Sequence, residues 1–276
     1  MARPSAAVGG RSRVLTWTLR IVVVAYLGLL VAWPTGLVVK RTFGNGLEGI
    51  RTALEDPDVT HALILSGQVA LIAVAINLVF GVGMSLLLVR YDFWGKRALS
   101  ALIDLPLSVS PIVVGLALVL VYNGRYGWFG PFLEDHGLQI TFALPGIVMA
   151  TTFVALPLVI REVVPVLEEI GTDQEQAAQS LGANGRQTFW RITLPGIRWA
   201  VVYGVVLSLA RSLGEFGAVQ VVAGNVGGDT QTAPLLVQAK YQGFAEDTAY
   251  SMSFLLVFAA VVCLVVVALI RPKEGH

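Results

Sequence analysis

Six apolar runs alternate with short polar segments along the chain: Ile21–Val39, Ala62–Val89, Ala98–Tyr122, Ile140–Ile160, Trp199–Val222 and Tyr250–Ile270. Each is about the length needed to cross the hydrocarbon of a bilayer. Inside a bilayer the backbone must satisfy its own hydrogen bonds, so runs of this kind fold as helices. The pattern predicts an all-α membrane protein with six transmembrane helices. The first run is longer than a typical signal core and has no small-residue cleavage pattern before Lys40-Arg41, so it is expected to be retained. Residues 1–13 are polar, basic and small, and are expected to form a disordered cytoplasmic leader ahead of one transmembrane domain covering 14–276.

The polar segments set the orientation. With the N-terminus inside, the inner segments hold Arg3, Arg11, Arg13, Arg20, Arg90, Lys96, Arg97, Arg161, Arg186, Arg191, Arg198, Arg271 and Lys273. The outer ones hold only Lys40, Arg41, Arg51, Arg125 and Lys240. Lysine and arginine collect on the cytoplasmic side, which puts both termini and the segment 162–198 in the cytoplasm of a multi-pass protein of the cell membrane. The outer segment Arg41–His61 reads as a solvated loop.

Segment 162–198 carries its own pattern. Val163, Val166, Leu167 and Ile170 continue the fourth helix at helical spacing until Gly171 interrupts it. Thr172 stands three residues before Glu175, the spacing of a capping box, so a short helix is expected to start there and to stop near Gly182. Asn184-Gly185 favours a turn. Gln187–Ile192 reads as a second short helix, and Thr193 with Pro195 as the start of the fifth membrane helix. Ala177 and Ala178 leave the first short helix smooth enough for another protein surface to approach closely.

Composition narrows the class further. The chain is 55% hydrophobic and 13% charged, whereas soluble domains carry about a quarter charged residues. The net charge of +1 gives no reason to expect a nucleic-acid partner; lipid is the expected surrounding. Cys263 stands alone in the last apolar run, which excludes a disulfide framework, and His61, His136 and His276 have no companions at metal-ligand spacing, so no metal site is expected. There is no Gly-x-x-x-x-Gly-Lys-Ser/Thr loop to hold nucleotide phosphates and no nucleophile–base constellation. The chain is not expected to be an enzyme.

The full spacing of the loop is more specific than its caps. Gln176-Ala177-Ala178, three residues to Gly182, nine more to Ile192, then Leu194-Pro195 resembles the cytoplasmic EAA loop of the membrane subunits of ATP-binding-cassette importers. Asp104-Leu105-Pro106-Leu107-Ser108-Val109-Ser110-Pro111 and Ala210-Arg211-Ser212-Leu213-Gly214-Glu215-Phe216-Gly217-Ala218 are similar to segments of the sulfate/thiosulfate permeases of the CysW type. So is the stretch from Gly224-Asn225 through Thr230, Thr232 and Pro234 to Leu236. The resemblance runs from about residue 20 to 271 and departs at Gln176, where the family pattern has Glu. It implies the type I importer permease fold, with Glu175, Gln176, Ala177, Ala178, Gly182, Ile192, Leu194 and Pro195 docking an ATPase subunit. The partners it implies are two ABC ATPases that bind ATP and Mg, a second permease of the CysT type, and an extracytoplasmic sulfate-binding protein. Gly224, Asn225, Thr230 and Thr232 are candidates for an outer gate or binding-protein contact.

Three polar stripes lie within the apolar runs. Gly204, Ser208, Arg211, Ser212 and Glu215 share one face of the fifth, and a charge facing lipid there costs about 2.5–3.5 kcal/mol or more. Arg211 and Glu215 are therefore expected to pair with each other or to line a wet path. On the third, Asp104 and Ser108 share a face, with Pro106 and Pro111 expected to distort the backbone, and Asp104 is a candidate partner for Arg211. On the second, Ala70, Ala73, Asn77, Gly81 and Ser85 form a small-residue stripe suited to close helix packing. The function implied is an ATP-driven sulfate or thiosulfate importer subunit, with a molybdate or tungstate permease as the alternative. An ion-coupled secondary transporter would use the same charges, and a membrane scaffold would use the same hairpin.

Overall fold

The computed structural model describes residues 11–44 and 46–270; residues 1–10, most of the expected leader, and the charges at 271 and 273, expected on the cytoplasmic side, lie outside the described residues. The chain begins with α1 (Arg11–Leu27), a π-helical turn over Gly28–Ala32 and α2 (Trp33–Thr42). After it come α3 (Glu48–Glu55), α4 (Pro57–Arg90), α5 (Lys96–Ser108), α6 (Pro111–Tyr122), α7 (Gly130–Asp135) and α8 (Leu144–Ile170). The remainder is α9 (Asp173–Ser180), α10 (Gly185–Thr188), a second π-helical turn over Phe189–Thr193, then α11 (Leu194–Leu213), α12 (Gly217–Val222), α13 (Ala233–Gln242) and α14 (Glu246–Ile270).

Among the described residues, five helical stretches are long and apolar enough to cross a membrane: Leu15–Thr42, Pro57–Arg90, Leu144–Ile170, Gly185–Leu213 and Glu246–Val266. A sixth arises if α5 and α6, bent by 112° to one another, count as a single span. The expected single helix Ala98–Tyr122, with distortion expected at Pro106 and Pro111, is broken outright, because Val109 and Ser110 are extended and Pro111 restarts the chain as a fresh helix. The expected fifth helix Trp199–Val222 is displaced too. It starts at Gly185, without a separate short helix at Gln187–Ile192, and it ends at Leu213, with α12 following a three-residue break. The fourth begins at Leu144 rather than Ile140, and the segment Arg41–His61 contains α3 instead of a plain loop.

Both π-helical turns have one cause. Each ends two residues before a proline, Pro34 or Pro195, which has no N–H to donate to the carbonyl four residues back. The preceding residue then bonds one position further back, Trp33 N to Gly28 O and Leu194 N to Phe189 O.

α4, α8 and α11 form the centre of the bundle, with α13 and α14 on one flank and α5, α6 and α12 on the other. Their contact depends on missing side chains. A Cβ on Gly81 of α4 would sit 2.8 Å from Val159 Cβ of α8, and one on Gly204 of α11 would sit 2.9 Å from Val159 Cα. Val159 is therefore gripped between two glycines, and Val163, Leu167 and Ile197 continue the seam. Ala70, Ala73, Asn77, Gly81 and Ser85 are all buried, as expected for a packing stripe. Asn77 Nδ2 reaches Ser208 Oγ of α11 at 3.4 Å.

Candidate functional site

The docking motif predicted from spacing forms a polar hairpin between α8 and α11. α8 stops at Ile170 because Gly171 takes φ +67, and α9 stops at Ser180 with Gly182 at φ +88, a backbone region that side chains disfavour. Ala183 N donates to Ala178 O and Gly182 N to Gln179 O, closing the last turn. Ala177 and Gly182 are exposed, Ala178, Ile192 and Leu194 half-buried, and Pro195 exposed. Leu181 points outward at 90% exposure, an apolar knob beside the glycine.

The caps fall differently from the expected pattern. Thr172 makes no side-chain bond to the α9 backbone; its Oγ1 accepts from Gln176 Nε2, and Glu175 turns away. The capping box stands instead at the head of α10, where Asn184 Oδ1 accepts from Gln187 N and Gln187 Oε1 accepts from Asn184 N. Glu175 is drawn off by Arg90, at the end of α4. Arg90 Nε donates to Glu175 Oε2 at 3.0 Å and Nη2 to Oε1 at 3.2 Å, a bidentate pair with side chains only 11% and 16% exposed. Nη1 and Nη2 also donate to Leu167 O and Gly171 O, and Thr193 Oγ1 donates to Glu175 Oε1 at 2.8 Å. Sequence spacing alone had no means of finding Arg90 and Thr193: their partners lie 85 and 18 residues away. A cleft of about 350 Å³ opens beside them, lined by Thr172, Gln176, Gln179 and Phe189 among others.

The second group of predicted residues divides in two. Arg211, in the last turn of α11, pairs with Glu215 in the break before α12, with Nη1 2.6 Å from Oε2. The contact joins charges without an aligned hydrogen bond, since Oε2 has no hydrogen-bond partner. Glu215 Oε1 accepts from Ala218 N, so one carboxylate ties the end of α11 to the start of α12. Ser208, Ser212 and Glu215 are buried while Arg211 is 38% exposed at the side chain. Ser212, Glu215 and Thr232 line a small polar cavity with Ser66 and Thr151.

Asp104 does not pair with Arg211. It accepts from Arg161 of α8 at 2.9 and 3.1 Å, because the bend after Ser108 lays α5 along α8 rather than α11. Asp104 and Arg161 are each more than half exposed, and Ser108 is exposed beside them. At the opposite end of the bundle from the hairpin, residues 224–232 fold on themselves. Val226 O accepts from the amides of Asp229, Thr230 and Gln231, Val226 N donates to Thr230 Oγ1, and Gln231 Nε2 donates to Asn225 Oδ1. Gly224 and Asn225 are exposed, but Thr230 and Thr232 are buried at 3%, so that pair offers no surface to an outside partner. At the same end Lys240 bonds Asp56, which also accepts from Asp58 N at the head of α4. The Lys240 ammonium holds the Asp56 carboxyl below the usual aspartate range, and backbone amides of Asp58 and Val59 add to the effect. Among the described residues no cluster of three or more metal-ligating side chains occurs.

Residues 63–271 match the family of binding-protein-dependent transport system inner membrane components. A sulfate transport system permease protein CysW from Synechococcus elongatus is 47% identical over 91% of this chain and 87% of its own. A sulfate transport system permease protein CysT from the same organism is 37% identical over 92% of this chain and 91% of its own. Among solved structures, a bacterial ABC transporter involved in the import of the polysaccharide alginate superposes with a TM-score of 0.75 over 94% of both chains; at 17% identity that likeness concerns the fold. The chain belongs to the family of binding-protein-dependent transport system inner membrane components.

Proposed function

We propose that this chain is the transmembrane subunit of an ATP-driven importer that moves sulfate into the cytoplasm. The observation that carries the reading is near-full-length identity of 47% to a sulfate permease, in a chain that also presents the hairpin with its complete spacing. The domain spans 14–276 with six crossings, α5 and α6 forming the bent one, and segment 162–198 faces the cytoplasm by the distribution of lysine and arginine. Glu175, Gln176, Ala177, Ala178, Gly182, Ile192, Leu194 and Pro195 form or support the surface on which an ATPase subunit docks.

The energetics fit this division of labour. A divalent oxyanion entering an inside-negative cell works against about 2.3 kcal/mol per charge per 100 mV, so uptake needs an external energy source. Two ATPase partners bind ATP and Mg, and this chain supplies the helices they move. The more-than-half-exposed pair Asp104–Arg161 would be costly against lipid, so its face turns to a second, CysT-like permease or to the wet gap between the two. Arg161 and the half-buried Arg211 are each paired with a carboxylate, so wherever either lines the path it offers a dianion polar contacts without a deep electrostatic trap. A sulfate-loaded binding protein docks at the opposite end, near Gly224 and Asn225.

Reconstitution with the ATPases, the second permease and a binding protein tests the reading. ATP hydrolysis stimulated by the binding protein is expected with sulfate or thiosulfate and not with molybdate or tungstate. Stimulation by molybdate alone, or uptake without ATPase subunits, would overturn it. Gly182→Arg places a long cation where an added Cβ meets nothing within 4 Å, with strain confined to its own backbone at φ +88. It is expected to leave membrane insertion intact and to reduce co-purification of the ATPase; unchanged co-purification removes the docking assignment.

A further inference from the structure

We propose that Arg90 is the positioning residue that makes the hairpin and the inner ends of α4, α8 and α11 move as one body; the inference rests on the hairpin being the ATPase-docking loop. α9 has eight residues and none is buried, so it has no apolar face pressed against the bundle. A helix of that length is not stable alone in water. Its attachment is polar, and it converges on one guanidinium. Arg90 donates to both oxygens of Glu175 in α9 and to Leu167 O and Gly171 O at the end of α8. Glu175 in turn accepts from Thr193, at the head of α11. Arg90, the last residue of α4, thus meets α8 and α9 directly, and the head of α11 joins them through Glu175.

The chemistry suits a rigid link. The planar fork of arginine holds a carboxylate in one orientation, which a lysine cannot do. The two carbonyls it takes are among those left unpaired at the end of a helix, so the cation also complements the end of the α8 dipole. Both side chains are nearly buried, so water competes weakly for the bonds. A push applied at Ala177 and Gly182 reaches α8 and α11 through the backbone, while Arg90 and Glu175 give α9 its own direct link to α4, beside the packing of α4 on α8 and α11.

The test compares Arg90→Ala and Arg90→Lys with the wild type in vesicles carrying the full complex, measuring sulfate uptake per ATP hydrolysed. Arg90→Ala is expected to lower that ratio about tenfold or more, the change that loss of one charge-assisted hydrogen bond implies. Arg90→Lys is expected to fall between the two. In the full-length permease chain alone, hydrogen exchange over Asp173–Ser180 is expected to speed up by a similar factor in Arg90→Ala while Ile197–Ser208 stays unchanged. In a Cys263→Ser background, Arg90→Cys with Glu175→Cys joined by a short bismaleimide is expected to restore the uptake ratio, whereas the unlinked protein stays low. A wild-type ratio in Arg90→Ala, unaltered exchange in α9, or a linked protein that remains uncoupled would each overturn the proposal. A wild type that no anion stimulates would instead sink the importer reading, and the exchange measurement would still decide whether Arg90 holds the hairpin.

Discussion

The bundle centre and the hairpin are held by opposite means. At the centre, Gly81 and Gly204 bring two helices against Val159 with almost no polar contact, so the fit comes from shape. In α9 no residue is buried, and position comes from Arg90, Glu175 and Thr193. Helices in lipid gain little from burying apolar surface against one another, so close packing of small residues has to supply the attraction. A segment with no buried residue keeps its surface open, and directional bonds can fix it without covering it. The first solution resists change in volume; the second resists change in charge and geometry.

Substitutions that strike each mode separately should sharpen this contrast. The largest effect is expected at the centre. Gly204→Ala drives a Cβ to 2.9 Å from Val159 Cα, which belongs to the backbone and cannot move aside. About 3 kcal/mol of destabilisation is expected, seen as a fall in thermal unfolding temperature in detergent. Gly81→Ala brings its Cβ within 2.8 Å of both Cβ and Cγ1 of Val159, so adding Val159→Ala, which removes Cγ1 but keeps Cβ, should relieve it in part, yet the same second change should leave Gly204→Ala unrelieved. Equal relief of both would mean the two glycines do not grip Val159 in the way described.

A smaller effect is expected in the hairpin. Asn184→Ala removes the capping box with Gln187 and should cost about 1 kcal/mol, confined to local opening of residues 183–188 with global unfolding hardly changed. Hydrogen exchange resolves the two; a matching loss of global stability would show that hairpin and centre are one cooperative unit.

The smallest effect tests polar attachment at the other end. Lys240→Met removes the partner of Asp56 and should cost under about 1 kcal/mol at neutral pH, as the pair is partly exposed. The Asp56 carboxyl titrates lower in the folded chain than in the unfolded one, so its contribution is present above the ordinary aspartate range and is lost as pH falls through the folded value. Wild type and Lys240→Met should therefore converge in stability at strongly acid pH. A difference that stays constant to acid pH would assign the effect to packing instead.

Much of the architecture was legible because lipid imposes length and hydropathy directly on the residues. The runs at 62–89 and 140–160 mark the helices that became α4 and α8, and Gly171 and Gly182 mark real stops. The breaks after Ser108 and Leu213 were not legible as breaks, since each interrupts an apolar run for only two or three residues and hydropathy carries no direction. Pro106 and Pro111 warned of distortion without saying that α6 would turn by 112°. The pairing of Asp104 with Arg211 failed for that reason: two intramembrane charges were matched by scarcity, and the bend put Arg161 within reach first. Glu175 likewise had a plausible local partner in Thr172, three residues away, and took a distant cation that offers a stronger, bidentate bond.

What the amino-acid order determined by itself was local: which stretches prefer hydrocarbon, where glycine and proline end a helix, and a loop spacing specific enough to mark a family. The tertiary structure decided which charges meet, which threonines of residues 224–232 are hidden, and that one arginine–glutamate pair joins the ends of α4, α8, α9 and α11. The physical reason is range. Hydropathy and backbone preference act within a few residues, whereas an ion pair depends on distances that exist only after bends and crossings have been made.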